Sequence, residues 1–254
     1  SLRESLIFDA KYGKTATNNV VSFSWQCWVK LAEVGDLRQL FLLGLNNDNP
    51  PSARVPVHEL YKASNGKIIY KMANWNGQVG GSRTTTSWIT QDVALTSSAW
   101  QHVGFSMTTT HGACDSTTVP LLVIDGREFP FAAATPNTHL VSGSDSQANF
   151  RNSGTSYQTP VMFFGRSLLW QEREMHGGVD EMAMWSGIKL NLSQFTELYN
   201  NGVPCNLTAS STPGSSNLIT WWRMGDGYYP GEGSDSIAIA SGDNCPAWTF
   251  DAMG

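Results

Sequence analysis

Short segments in which apolar and polar residues alternate recur along much of the chain. In the clearest of them, residues 21–29, the odd-numbered positions are all apolar and most even-numbered positions are polar. Alternate side chains of a β-strand point to opposite faces, so this segment predicts a strand with one core face and one polar face, as in an antiparallel sheet. The predicted core face comprises Val21, Phe23, Trp25, Cys27 and Val29.

Further strands are predicted where short runs are rich in β-branched and aromatic residues. They cover residues 5–8, 66–73, 86–95, 100–108, 121–124, 160–165, 178–185 and 218–223. Asp125-Gly126 predicts a hairpin turn after one of these strands, because both residues tolerate positive φ. The polar segments 46–56, 108–119 and 132–159 are predicted to be long loops.

One segment has the pattern of a helix. Phe195, Leu198 and Tyr199 have the spacing of an apolar helical stripe. Ser193 is predicted to cap the N-terminus of this helix, and Gly202 to end it.

Length and charge narrow the class of protein. All-β sandwiches of about 200–250 residues commonly form one domain, and this chain has 254 residues. Only 15% of them are charged, and 21 acidic against 16 basic side chains give a net charge of −5. The chain has no basic run for a nucleic-acid backbone and no apolar run long enough to cross a bilayer. We therefore expect an all-β protein that neither binds nucleic acid nor inserts into a membrane.

Several short motifs follow one another in order between residues 2 and 203. They are Ser5-Leu6-Ile7-Phe8-Asp9, Phe23-Ser24-Trp25-Gln26-Cys27-Trp28-Val29, Trp100-Gln101-His102-Val103, Leu122-Val123-Ile124-Asp125-Gly126, Phe164-Gly165-Arg166, Gly178-Val179-Asp180-Glu181-Met182 and the helical segment 192–202. This ordered set resembles the laminin-G-like, concanavalin A-like lectin domains. The resemblance implies a jelly-roll sandwich of two antiparallel sheets with one short helix over residues 1–205, followed by a linker and C-terminal extension over residues 206–254.

The C-terminal extension carries a second motif, within Leu218–Gly227. Its Trp222-Arg223-Met224-Gly225-Asp226 resembles a run found after such jelly rolls in virion and tail-associated proteins of tailed phages. This resemblance implies a non-enzymatic protein displayed on a virion surface, as a capsid decoration, fibre or tail-associated protein. Its implied partners are neighbouring subunits of an assembly and a glycan of the host surface.

Two other hypotheses stay open at this point. A secreted or cell-surface lectin-like adhesion domain would be extracellular, and it predicts either a Cys205–Cys245 disulfide or a sugar on the sequon residues Asn191 or Asn206. A purely architectural protein would instead use the segment after residue 226 as an arm that joins a neighbouring subunit, and would bind no sugar.

Glycan hydrolysis is the enzymatic alternative, because concanavalin A-like sandwiches also serve as glucanases. A retaining hydrolase needs two carboxyl groups about 5–5.5 Å apart, supplied here by alternate positions of one strand. Asp180 and Glu181 are neighbours, so a regular strand points them to opposite faces, and the next three residues are not acidic. We therefore predict that the chain is not an enzyme.

Calcium is the cofactor that the resemblance implies, since many of these jelly rolls hold one structural or ligand-bridging Ca²⁺ through carboxylate and carbonyl oxygens. The resemblance implies Asp9 and Asp180 as ligands. Asp48 is a separate candidate, because it lies in a run of oxygen donors, Asn46–Asn49. The alternative is structural: Asp9 caps a turn, Asp180 pairs with an arginine, and the run solvates a bend.

A glycan site needs an aromatic face for the C–H side of a sugar and amide or carboxylate groups for its hydroxyls. The segment Asn74-Trp75-Asn76 fits this description, with Trp88 nearby in sequence. For Trp75, packing against a loop is the competing interpretation. Trp25 and Trp221 are predicted to lie in the core.

Histidine and cysteine suggest no further chemistry. The five histidines have no metal-ligand spacing, and His102 is predicted to be a hydrogen-bonded structural residue of a strand. Cys27 falls on the predicted core face and is expected to be a buried thiol.

Overall fold

The structure is a computed structural model that describes residues 20–32, 38–47, 55–74, 84–95, 99–110, 119–132, 135–137, 158–165, 175–223 and 248–249. The predicted strand 5–8 lies outside these residues. Among the described residues, no helix combines the length and the apolar character needed to cross a membrane.

The described residues form thirteen strands and one α-helix. The strands are β1 (Val20–Leu31), β2 (Arg38–Asn47), β3 (Val55–Lys62), β4 (Ile68–Asn74), β5 (Thr84–Ile89), β6 (Gln101–Thr110), β7 (Leu121–Ile124), β8 (Arg127–Glu128), β9 (Thr135–Asn137), β10 (Gln158–Phe164), β11 (Gly177–Ser186), β12 (Leu218–Trp222) and β13 (Trp248–Thr249). The helix is α1 (Leu192–Tyr199).

The strands build two sheets. Sheet A has the order β12-β11-β1-β6-β7-β8, with β13 also paired to β11, and sheet B has the order β10-β2-β3-β4-β5-β9. Every pairing is antiparallel. The chain passes from sheet A to sheet B and back twice, so neither sheet forms from one continuous stretch. The predicted all-β jelly-roll sandwich with one short helix is confirmed.

The core between the two sheets is aromatic. On β1 the residues Phe23, Trp25, Cys27 and Val29 are all buried, as the alternation predicts. The indole of Trp25 stacks on the ring of Phe41 from sheet B, with 4.7 Å between ring centroids. Burial of this kind, which removes apolar area from water at about 25 cal/mol per Å², is the main force that holds the sheets together. Burial also raises the pKa of the Cys27 thiol, which confirms the prediction of a buried cysteine.

The other face of sheet A is covered as well, although the sequence predicts a polar face there. Residues 188–207, which include α1, lie across it, and their apolar side chains pack on β7, β11 and β12. The serines of this face are buried because they bond the covering segment. Ser106 Oγ donates to the carbonyl of Leu190 at 2.6 Å, and Ser24 Oγ accepts from its amide at 2.9 Å.

The helix begins two residues earlier than a Ser193 cap allows. Asn191 is the N-cap, and its side chain accepts a hydrogen bond from the amide of Gln194 at 3.0 Å. The Gln194 side chain accepts in return from the amide of Asn191 at 2.9 Å, which completes a capping box. At the other end Asn200 adopts the left-handed conformation that ends the helix. The Ser193 prediction is therefore wrong: Asn caps as well as Ser does, and here the glutamine side chain completes the box.

Five strands overlap the predicted loops. Both β2 and β3 extend into the predicted loop 46–56, β6 extends into the loop 108–119, and the loop 132–159 contains β9 and the start of β10. Proline is rare within sheets because it lacks an amide donor, which makes β3 difficult to predict across Pro56. The structure accommodates it with a register shift between Leu43 and Gly44 of the neighbouring strand.

The C-terminal extension contributes strands to sheet A. As predicted, residues 218–222 form a strand, β12, which pairs with β11. The side chain of Trp221 is buried against the outer face of the sheet, together with Leu207. The boundary at residue 205 stays a prediction, but the seven-stranded sheet continues past it.

Candidate functional site

An exposed tryptophan stands at one end of sheet A, beyond the part that α1 covers. Trp100 immediately precedes β6, and 43% of its surface is exposed. Its indole leans across the neighbouring strand toward β11, so that a Cβ atom on Gly178 would lie 2.7 Å from Cη2 of the ring. Glycine at position 178 therefore makes room for the indole, and we call Trp100, Gly178 and Lys30 the Trp100 platform.

The register of the sheet explains why Lys30 belongs to this platform. Val29 pairs with Gln101 of β6, and Lys30 pairs with Gly178 of β11. Val29 and Leu31 are buried in the inner core. The side chain of Lys30, which lies between them on β1, therefore projects from the outer face and is exposed. The indole of Trp100 thus crosses β1 at the level of Lys30.

Next to the platform along β1 and β6 lies a group of three aromatic rings, those of Trp28, His102 and Tyr199. The ring of Trp28 lies 5.3 Å from that of His102 and 6.0 Å from that of Tyr199, between centroids. His102 Nε2 donates to Oε1 of Gln26 at 3.0 Å, and burial lowers the pKa of this histidine to about 3. The prediction of a hydrogen-bonded structural His102 is confirmed, and its neutral ring adds no charge beside the platform.

The hairpin turn fixes the strand that carries Trp100. Asp125 and Gly126 both have positive φ, as the turn prediction requires. The Asp125 carboxylate accepts from the amide of His102 at 2.8 Å through Oδ1 and from Gln101 Nε2 at 3.2 Å through Oδ2. The Asp-Gly pair therefore both turns the chain and holds the two residues that follow Trp100.

The structure describes only some of the residues that the sequence predicts to bind a glycan. Asn74 is the last residue of β4 and pairs with Thr84. Its side chain, Trp75 and Asn76 lie outside the described residues. The prediction that Trp88 contacts a glycan is wrong. Its side chain is 0% exposed and packs in the inter-sheet core, 5.2 Å from the ring of Tyr70 between centroids. A sugar cannot stack on a side chain that has no exposed surface.

Only one of the predicted calcium ligands, Asp180, lies in the described residues. Asp9 and Asp48 lie outside them. Asp180 Oδ1 accepts from the amide of Glu181 at 2.7 Å, and nowhere in the described ranges do three His, Cys, Asp or Glu residues gather closely enough to hold a metal ion. The Ca²⁺ site therefore stays a prediction.

Glu181 occupies an irregular position of β11. The register against β1 shifts here, and Glu181 has a φ of 50°, a left-handed conformation unusual for a residue with a side chain. Val179 and Met182 both pack toward the inner core, with two residues between them instead of one. The expectation that strand alternation places Asp180 and Glu181 on opposite faces is therefore wrong, because the bulge interrupts the alternation.

The carboxylate of Glu181 is hydrogen-bonded to residues of the C-terminal extension. It accepts from Nε1 of Trp221 at 2.5 Å and from Nε of Arg223 at 3.3 Å, and the residue is 3% exposed. Burial raises the pKa of Glu181, while the Trp221 hydrogen bond and the charge of Arg223 lower it in part. A carboxylate so enclosed holds β12 against β11 and has no access to a substrate.

The raised pKa of Glu181 predicts a pH-dependent contribution to stability. Because the folded pKa lies above the ordinary value of 4.5, the folded state takes up a proton before the unfolded state as the pH falls. Relative to Glu181→Gln, the wild type should gain stability as the pH falls through the folded pKa, with no further gain below 4.5. Urea unfolding of both proteins over a pH series checks this, and parallel stability curves would contradict it.

Comparison with known proteins gives likenesses of structure only. No protein-family model matches the chain, and no curated protein matches it. A proposed carbohydrate-binding protein from Bacteroides ovatus is similar at a TM-score of 0.47 and 14% identity, over 94% of this chain and 56% of that one. This chain therefore spans just over half of that protein.

Two further solved structures are similar in the same way. The CBM40 of the Ruminococcus gnavus IT-sialidase, bound to α2,3-sialyllactose, has a TM-score of 0.43 and 13% identity, over 70% of this chain and 83% of that one. The enzymatically active domain of tailspike protein 2 of bacteriophage CBA120 has a TM-score of 0.43 and 12% identity, over 79% of this chain and 26% of that one. Such distant likenesses say nothing about ligands, and what the sheet order itself shows is an all-β sandwich of two antiparallel sheets.

Proposed function

We propose that this chain is a non-enzymatic carbohydrate-binding module and that the Trp100 platform is the surface that contacts the sugar. The observation that carries the proposal is the exposed indole of Trp100, held over Gly178 on a rigid sheet. Tryptophan buries a large area at low conformational cost, and sites built on strands hold their geometry better than sites on loops.

The platform offers both kinds of contact that a sugar needs. The exposed indole provides an apolar surface for the C–H side of a pyranose ring. Lys30 provides three hydrogen-bond donors beside it, and the partly exposed Asp180, two residues beyond Gly178, provides acceptor oxygens. Lys30 and Gly178 are cross-strand neighbours, so their backbone positions are fixed before any ligand arrives.

We propose that the chain does not catalyse glycoside hydrolysis, because one of the two neighbouring carboxyl groups on β11 is buried. Glu181 is buried and bonded to Trp221 and Arg223, so β11 does not present two accessible carboxyl groups to a substrate. Hydrolysis of a glycoside requires two carboxyl groups that both reach the substrate. A binding role needs only the platform.

Trp100→Ala is expected to weaken glycan binding by at least about tenfold, which corresponds to about 1.4 kcal/mol. The physical reason is the loss of the apolar stacking surface. A glycan array identifies ligands of the wild type, and calorimetric titration of the strongest ligand gives the affinity of each variant. The variant should stay folded with a moderate loss of thermal stability, because more than half of the Trp100 surface is buried.

Two matched variants make this test specific. Gly178→Ala should also weaken binding, because its new Cβ displaces the indole. Val203→Ala, at an exposed apolar residue elsewhere, should leave the affinity unchanged. Equal affinity of wild type and Trp100→Ala for every bound glycan would refute the platform.

We propose further that the module is displayed on a virion surface, among neighbouring subunits. Support comes from the resemblance of the segment around Trp222-Arg223 to a run in phage virion proteins, and from a surface of low charge that limits repulsion between neighbours. The intact mass of the native protein, with and without reduction, distinguishes the extracellular alternative, which predicts a Cys205–Cys245 disulfide or a sugar on Asn191 or Asn206.

A further inference from the structure

We propose that the sugar bound at the Trp100 platform is acidic and that Lys30 binds its carboxylate. This inference rests on the proposed function and specifies the ligand class of the same surface. It starts from the position of a single cation: Lys30 is the central member of the platform, between the strand that carries Trp100 and the strand that carries Gly178.

The geometry directs the Lys30 side chain to the same side as the indole. Val29 and Leu31 are both buried toward sheet B, whereas Lys30 is exposed. The ring of Trp100 reaches Gly178, the cross-strand partner of Lys30, and therefore passes over β1 beside that lysine. A ligand stacked on the exposed part of the indole is thus within reach of the lysine ammonium.

The charged residues that the structure describes around the platform bear on which ligand Lys30 can bind. Within the part of the chain that the structure describes, no carboxylate forms an ion pair with Lys30, whereas Arg223 is paired with Glu181 at 3.3 Å. Asp180 lies two cross-strand pairs away, opposite Trp28, and its Oδ1 accepts from the amide of Glu181. A hydrogen bond from a charged donor to a charged acceptor is about twice as strong as a neutral one, so a carboxylate gains more from Lys30 than a hydroxyl does.

The same surroundings favour one isolated anionic group over a polyanion. The whole chain carries a net charge of −5, and Asp180 adds a negative charge to the outer face close to Lys30. A ligand with closely spaced charges, such as a nucleic acid, would bring further negative charge beside that carboxylate. A uronic acid residue has one carboxylate and one apolar ring face, which match one lysine and one indole.

The test uses matched pairs of saccharides that differ only in charge or in one acidic sugar. The first pair is tetragalacturonate and its methyl ester, and the second is sialylated lactose and lactose. Calorimetric titration of the full chain is expected to give at least about tenfold tighter binding for the acidic member of one pair at low ionic strength, corresponding to about 1.4 kcal/mol. The preference should shrink as salt is added, because salt screens an exposed charge.

Variants separate this inference from the proposed function. Lys30→Gln should bind both members of the pair equally, and Lys30→Arg should keep the preference for the acidic member. Trp100→Ala should lose binding of both members. If the wild type binds the acidic and neutral members equally, the acidic ligand is wrong while the binding module stands. If it binds no member of either pair and no glycan of an array, the proposed function itself fails. Tighter binding of an oligothymidylate than of any saccharide would also overturn the inference.

Discussion

A chain that ends at residue 205 is expected not to fold, whereas a chain that ends at residue 223 is expected to fold cooperatively. The longer chain keeps β12, which pairs with β11 from Met182 to Trp185. The shorter chain loses Trp221 and Leu207 from the outer apolar cluster. Loss of a buried tryptophan or leucine costs about 2–5 kcal/mol each, against a total stability of about 5–15 kcal/mol.

The loss of residues 206–223 is expected to lower the stability of the shorter chain through electrostatics as well. Without residues 206–223 the carboxylate of Glu181 loses both Trp221 and Arg223 as partners, and removing the partners of a buried charge is strongly destabilising. Circular dichroism and thermal unfolding of the two truncated chains check the prediction. A cooperative transition of the 1–205 chain at the melting temperature of the 1–223 chain would instead show that the domain ends at residue 205 and that β12 is a dispensable arm.

Gly104→Ala is expected to destabilise the protein by about 3 kcal/mol, the upper end of the usual cost of overpacking. Gly104 lies on the outer face of β6, directly under the helix. A Cβ atom there would lie 2.7 Å from Cε1 and 2.9 Å from Cγ of Phe195, a ring that is fully buried. The helix must move away from the sheet to admit the methyl group. Chemical denaturation gives the change in the free energy of unfolding.

A double-mutant cycle identifies the cause of that loss. Phe195→Leu removes part of the ring that blocks position 104, so the combined variant Gly104→Ala/Phe195→Leu should lose less stability than the sum of the two single changes. Strictly additive losses would mean that the helix does not pack on Gly104. The result bears on the site, because Gly104 and Phe195 hold the helix against the same face of sheet A that carries the Trp100 platform.

Local sequence patterns predicted the elements that depend on local chemistry. The alternation over residues 21–29 gave the strand β1 and its inner face, and Asp125-Gly126 gave the hairpin. The burial of the second face was not predictable in this way. Ser24 and Gln26 are polar, and only the distant segment that bonds Ser24 through Leu190 buries them.

The bulge at Glu181 shows a second limit of local pattern. In sequence, Asp180 and Glu181 occupy consecutive strand positions, and a regular strand separates them. The structure inserts an extra residue there and turns Glu181 toward Trp221, forty positions away in the chain. The signal in the sequence was indirect: a strand motif containing Trp221 and Arg223 followed the predicted domain.

The candidate site was hidden for the same reason. Trp100 belongs to a predicted strand motif, and nothing in its local pattern indicates exposure, whereas Trp88 lies near the polar segment Asn74–Asn76 and was predicted to contact a glycan. In the structure Trp100 is 43% exposed and Trp88 is 0% exposed. The difference comes from Gly178, whose missing side chain accepts the indole from two strands away, and no local pattern links residues 100 and 178.

The most direct test of a sugar-binding Trp100 platform is an NMR titration that follows the indole N–H signals of the protein. The signal of Trp100 is assigned as the one missing from the spectrum of Trp100→Phe, and the titrant is the strongest saccharide ligand of the wild type. We predict that this signal shifts progressively to saturation, while the signals of the buried Trp25 and Trp88 stay in place. A saccharide that binds and saturates without moving the Trp100 signal would contradict the platform as the binding surface.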